Sequence, residues 1–128
     1  MKILLDTHTF LWWTLEPGKL SQPVLTTCQD KENLILFSVA SAWEMQIKLQ
    51  SGKLKINLPL VEVIDCQCRA NNIEVLPVAL AHVLALQSLP LHHQDPFDRL
   101  LIAQAKVENA VLVSKDAVLA QYAVQLFW

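Results

Sequence analysis

Lys2-Ile3-Leu4-Leu5-Asp6 places a short apolar run and a carboxylate immediately before the helical stretch Thr9 to Leu15, which Glu16-Pro17-Gly18 terminates. A strand therefore gives way to a helix at Asp6. Residues 34–37 (LILF), 73–76 (IEVL) and 111–113 (VLV) read as further short strands, and most of their positions are apolar without alternation. Strands of this kind are buried on both faces, the signature of a parallel sheet sandwiched between helices.

The segments between these strands carry the helices that such a sheet requires. Ser21 caps one running to about Lys31, with Pro23 in its first turn, and a second spans about Val39 to Gln50 before Ser51-Gly52 stops it. Pro59 opens an amphipathic stretch to about Ala70, and Ala79 to Ser88 forms a helix ending before Pro90. Asp95-Pro96-Phe97-Asp98 starts a strong helix to about Glu108, with Asn109 at its C-terminal end. A last short helix begins near Asp116, and the tail from Val124 adds an edge strand. The expected class is α/β, with helices on both faces of a central, mainly parallel sheet.

A chain of 128 residues fits one domain, 1–128, with no linker, repeat or low-complexity segment to divide it. The hydrophobic fraction of 53% is high, yet no apolar run approaches the ~20 residues of a membrane span. No secretory signal is indicated at the start of the chain. Cys28, Cys66 and Cys68 are odd in number and lack C-x-x-C spacing, so reduced thiols in a cytoplasm are expected. With a net charge of −2, the chain is not a module that holds nucleic acid by charge alone. Bound cations would remove that objection.

Four acids, Asp6, Glu44, Asp98 and Asp116, fall where strands or helices begin or end. Each has a plain structural explanation. Asp6 and Asp116 can cap the helices that follow them, and Glu44 can complete a capping box with Ser41. If Ser38 is the cap instead, Glu44 lies in the second turn and its carboxylate is free to enter a pocket. Asp95 is expected to cap the helix containing Asp98, with Pro96 at the first helical position. In parallel α/β sheets, ligands bind beyond the carboxyl ends of the strands, where Asp6 and Asp116 belong. Carboxylates gathered there without Cys or His ligands suit a hard cation such as Mg²⁺ or Mn²⁺.

Leu4-Leu5-Asp6-Thr7-His8, Ser38-x-x-Ser41-x-Trp43-Glu44, the block from His92 through Asp95-Pro96-Phe97-Asp98-Arg99-Leu100-Leu101-Ile102-Ala103-Gln104-Ala105, and Leu112-Val113-Ser114-Lys115-Asp116 resemble PIN-domain proteins of the VapC toxin type. The similarity extends over essentially the full chain. It implies a three-layer α/β/α domain and an Mg²⁺- or Mn²⁺-dependent endoribonuclease with Asp6, Glu44, Asp98 and Asp116 as its metal-binding and catalytic acids. It also implies a small antitoxin protein that restrains the activity. Thr7, Ser38 and Ser114 are candidates to support the acids, and Arg99 is a candidate substrate contact that competes with a local pairing role.

The histidines are expected to stand outside an all-oxygen site, His92 and His93 as loop or substrate residues and His82 as an ordinary helix residue. Trp12 and Trp13, about 100° apart on one helix, cannot both face the core. With Leu126-Phe127-Trp128 they offer either core packing or a surface for an inhibitory partner or a second copy, and a homodimer is expected. Two other functions compete: a phosphotransfer domain, with Asp6 phosphorylated and Lys115 on the phosphate, and a noncatalytic binding module. The missing D-x-D after the first strand argues against a haloacid-dehalogenase-type phosphatase.

Overall fold

The computed structural model describes residues 1–128. Five strands, β1 (Lys2–Leu5), β2 (Leu34–Ser38), β3 (Ile73–Leu76), β4 (Val111–Val113) and β5 (Leu126–Phe127), form one sheet in the order β3-β2-β1-β4-β5. All four pairings are parallel, with Leu5 opposite both Phe37 and Val113. Six helices complete the fold: α1 (Thr7–Leu15), α2 (Gln22–Gln29), α3 (Val39–Gln50), α4 (Leu60–Ala70), α5 (Leu80–Ala85) and α6 (Pro96–Glu108). Strand alternation divides the apolar side chains between two cores. Ile3, Leu5, Ile35, Phe37 and Val113 join residues of α1 and α2, while Leu4, Leu36 and Leu112 join Leu101, Ile102 and Ala105 of α6. The arrangement is three-layered, α/β/α.

Element boundaries depart from expectation where a cap or turn intervenes. α1 begins at Thr7 because the Asp6 carboxylate accepts from Thr9 N at 2.8 Å, placing Asp6 at the N-cap. α2 ends at Gln29 because Asp30 folds back, its N–H donating to Thr27 O. The expected helix from Ala79 to Ser88 divides into α5 and a 3-10 turn at Leu86–Ser88, and the last helix is a 3-10 turn at Ala117–Gln121. Asn109 adopts the left-handed conformation, φ 55°, that closes α6. No helix is long and apolar enough to cross a membrane.

A buried polar chain ties the second core together. The Ser38 hydroxyl donates to Gln104 Oε1, and Gln104 Nε2 donates to Pro77 O at 3.2 Å and lies 3.3 Å from His82 Nδ1. Because Ala79 N donates to that same Nδ1, the His82 proton sits on Nε2, 2.8 Å from the Glu108 carboxylate. His82 is therefore a buried connector between α5 and α6, which its helical position alone did not reveal.

Candidate functional site

The sheet order reverses at β1, whose neighbours β2 and β4 lead in opposite directions, so a crevice forms beyond its carboxyl end. Asp6 stands there, its N–H bonded to Val113 O at 3.1 Å and its side chain buried. One carboxylate oxygen, Oδ1, caps α1. The cap therefore orients Asp6 while leaving Oδ2 without a hydrogen bond from the protein.

Asp116, three residues beyond β4, repeats the capping bond but is exposed where Asp6 is buried. Its N–H donates to the buried Ser114 hydroxyl at 3.1 Å, and its Oδ1 accepts from Val118 N at 3.0 Å. Capping and participation in a pocket are thus compatible, since a carboxylate has two oxygens. Ser114 is fixed in turn by its N–H to Phe127 O.

Ser38, not Ser41, is the N-cap of α3, accepting from Ala40 N at 3.0 Å. Glu44 therefore lies in the second turn, where it is 6% exposed. Its Oε1 accepts from the Thr7 hydroxyl at 2.6 Å, and its Oε2 lies 3.0 Å from Lys48 Nζ. Thr7 has one hydroxyl proton, given to Glu44, so the contact at 3.0 Å with Ser41 has Ser41 donating to Thr7. Thr7 was expected to support the acids and Ser41 only to cap α3; Lys48 was not expected here, although its i,i+4 spacing from Glu44 signals it.

Asp95 caps α6 as expected, accepting from Phe97 N and Asp98 N, and Pro96 opens the helix. Asp98 is then free to face the crevice. Burial pushes its carboxyl pKa up from the ordinary value, opposed by a hydrogen bond from His93, and the negative charges of Asp95, Glu44 and Asp6 push it further up. Asp98 thus senses the other acids electrostatically. It also lies in a tight group with Asp116 and His93, whose candidate ligand atoms are within 4.8 Å of one another.

His93 was expected outside the site, and the structure brings it in. Its Nε2 lies 2.8 Å from Asp98 Oδ2 and carries the shared proton, because an ionised carboxylate only accepts. The loop before α6 makes this contact. The buried Tyr122 hydroxyl accepts from His93 N at 2.9 Å, and Arg99 Nη1 donates to Pro90 O at 2.8 Å and reaches Tyr122 Oη at 3.2 Å. Arg99 therefore has the local pairing role. Arg99→Leu should lower stability by about 1–3 kcal/mol, through loss of charge-assisted hydrogen bonds, and increase amide exchange of His93. Unchanged denaturant midpoint and exchange would remove the clamp from the account.

The expected aromatic surface is largely taken up internally. Trp13 is buried, Phe127 and Trp128 pack against the first core, and Trp128 meets Trp12 edge-on at 5.7 Å between ring centroids. Exposed apolar surface lies elsewhere. Val39, Trp43, Val61 and Val75 contribute to a groove of about 620 Å³ between α3 and α4.

The PIN domain family model matches residues 3–125. Ribonuclease VapC22 of Mycobacterium tuberculosis is 27% identical over 116 residues, covering 89% of this chain and 86% of that protein. Among solved structures, VapBC2 from Rickettsia felis, bound to a DNA fragment from its promoter, superposes with a TM-score of 0.77 at 18% identity, over 99% of this chain and 98% of that one. VapBC-1 from nontypeable Haemophilus influenzae has a TM-score of 0.64 at 16% identity, over 99% and 97% of the two chains. With the family model spanning nearly the whole chain and the fold shared end to end, the protein belongs to the PIN-domain family.

Proposed function

We propose that residues 1–128, as a single PIN-like domain, are a divalent-cation-dependent endoribonuclease and the toxin of a cytoplasmic toxin–antitoxin pair. The supporting observation is the charge balance around Asp98: burial and neighbouring acids raise its pKa, while Lys48 is the only lysine or arginine paired with any of the four acids. Such a cluster needs positive charge. Four carboxylates suit Mg²⁺ or Mn²⁺ by donor chemistry; Asp98 and Asp116 already stand in one group with His93, and Asp6 and Glu44 lie outside that group.

In this reading Asp6, Glu44, Asp98 and Asp116 would hold the cation. The bound cation supplies Lewis-acid charge at the scissile phosphate and makes a neighbouring water more acidic. The protein contributes orientation. Asp6 and Asp116 are aimed by their own capping bonds, Glu44 is held by Thr7 and Lys48, and Asp98 is held by the proton on His93 Nε2. Ser114 supports Asp116 through its backbone, and Ser38 supports Glu44 by starting α3. No Ser-His-Asp or Cys-His nucleophile is required.

The ribonuclease name of the 27%-identical relative supports RNA as the substrate. The solved VapBC neighbours support a protein partner, for which the α3/α4 groove offers apolar surface. A homodimer belongs to the same proposal, supported by Leu80 and Leu84 standing exposed on α5.

Purified protein, freed of any inhibitor, should cleave single-stranded RNA with Mg²⁺. Excess chelator should abolish the cleavage, and added Mg²⁺ or Mn²⁺ should restore it. Cleavage that persists in chelator would overturn the cation-dependent mechanism, and no cleavage under any of these conditions would overturn the ribonuclease reading.

A further inference from the structure

A cavity of about 280 Å³ adjoins the acids, lined by Asp6, His8, Trp12, Lys115 and Asp116. Asp6 and Asp116 also belong to the candidate cation site, so anything held in this cavity lies beside that site. Trp12 is half-buried, with Trp128 edge-on at 5.7 Å and the His8 ring at 5.8 Å between centroids. These neighbours hold the indole in place at the cavity wall.

Lys115 and Lys19 each place Nζ over the Trp12 ring, 5.9 Å from its centroid; Lys19 is paired with Glu16 at 3.3 Å, whereas no carboxylate pairs with Lys115. Contact with an aromatic face positions an ammonium without neutralising it. Lys48, by contrast, is committed to Glu44. Lys115 is therefore the lysine available at this wall for a phosphate, on a chain whose net charge of −2 offers no general attraction to nucleic acid.

The Lys115 ammonium stands over the indole on a flexible four-carbon stem, so a base can take its place on the face while the ammonium swings to the adjoining phosphate, the combination of stacking and phosphate contact that holds single-stranded nucleic acid. We propose that this cavity is a nucleotide subsite, resting on the ribonuclease reading, which takes the unpaired nucleotide flanking the scissile bond with its base on Trp12 and its phosphate on Lys115. Every base presents a π-face, so the subsite selects unpaired over duplex RNA and is tolerant of base identity. Trp12 and Lys115 act in binding and positioning; neither is assigned a step in bond cleavage.

The test is steady-state cleavage of a single-stranded RNA oligonucleotide in Mg²⁺ by wild type, Trp12→Leu, Trp12→Phe and Lys115→Gln, with thermal melting to establish folding. Loss of one stacked base should raise KM about 5- to 100-fold in Trp12→Leu, with much less change in kcat, and Trp12→Phe should recover most of the loss. Lys115→Gln should reduce the salt dependence of kcat/KM by about 0.7 in log–log slope, the value for one phosphate contact on a single strand. An abasic nucleotide at the flanking position should erase the difference between wild type and Trp12→Leu.

Folded Trp12→Leu and Lys115→Gln variants with wild-type KM and salt slope would overturn the subsite while leaving the ribonuclease reading intact. A fall in kcat with KM unmoved would also overturn it. Wild-type protein that cleaves no RNA would overturn the ribonuclease reading and the subsite with it.

Discussion

Asp98→Asn should reduce RNA cleavage by roughly 10²- to 10³-fold, the scale for removing one preorganised electrostatic contact, while raising the melting temperature of the cation-free protein near neutral pH. Both effects come from the same carboxylate. Burial raises its pKa in the folded state, the His93 hydrogen bond opposes this, and the charges of Asp95, Glu44 and Asp6 raise it further, with a net upward shift. A carboxyl with a raised folded pKa has its full relative stabilising contribution below its unfolded pKa and loses it as pH rises through the folded pKa. Ionised Asp98 therefore costs stability at neutral pH, and asparagine removes that cost while its amide can still meet His93.

The stability advantage of Asp98→Asn should shrink as pH falls into the range where the wild-type carboxyl is protonated. Melting curves across pH must be recorded in excess chelator, because a cation bound only to the folded wild type would stabilise it by mass action. Cleavage is measured separately in Mg²⁺. A variant that melts below wild type at neutral pH would contradict the electrostatic account, and one that cleaves normally would remove Asp98 from the mechanism.

Gln104→Leu should destabilise the protein by about 3 kcal/mol, because it leaves buried polar groups without their partner. Gln104 is fully buried; its carbonyl accepts from Ser38 and its amide donates to Pro77 O. Leucine is close in size but can do neither, so the Ser38 hydroxyl and the Pro77 carbonyl each lose a hydrogen bond. Urea unfolding should show a lower midpoint with an unchanged slope, the signature of lost stability in a similarly compact fold. An unchanged midpoint would show that water replaces the amide.

The sequence carried the fold through local signals that agreed with one another. Four of the five strands were marked as short apolar runs, and the helices between them by caps and breakers such as Ser21, Pro59, Asp95 and Asn109. Asp6 and Asp116 were visible because their places follow from strand ends. Glu44 was ambiguous only until Ser38 proved to be the cap. His93 was not legible, since its contact with Asp98 depends on a loop clamped by Tyr122, 29 residues away. Gln104 carries no local signal of its role, since its partners lie 66 and 27 positions away in sequence. Contacts made across such distances leave no periodic trace.

The wholly parallel sheet also sets the order in which a growing chain can complete the site. Parallel neighbours require long crossovers, and the register of β1 on β4 joins Ile3 to Val111 and Leu5 to Val113. Asp6 and Glu44 are synthesised early and Asp98 late, yet the crevice at β1 has only one wall until β4 takes its place, and Asp116 follows that strand. A nascent chain therefore carries an incomplete acid cluster through most of its translation. The topology acts as a timer, withholding the finished crevice until synthesis has passed Asp116.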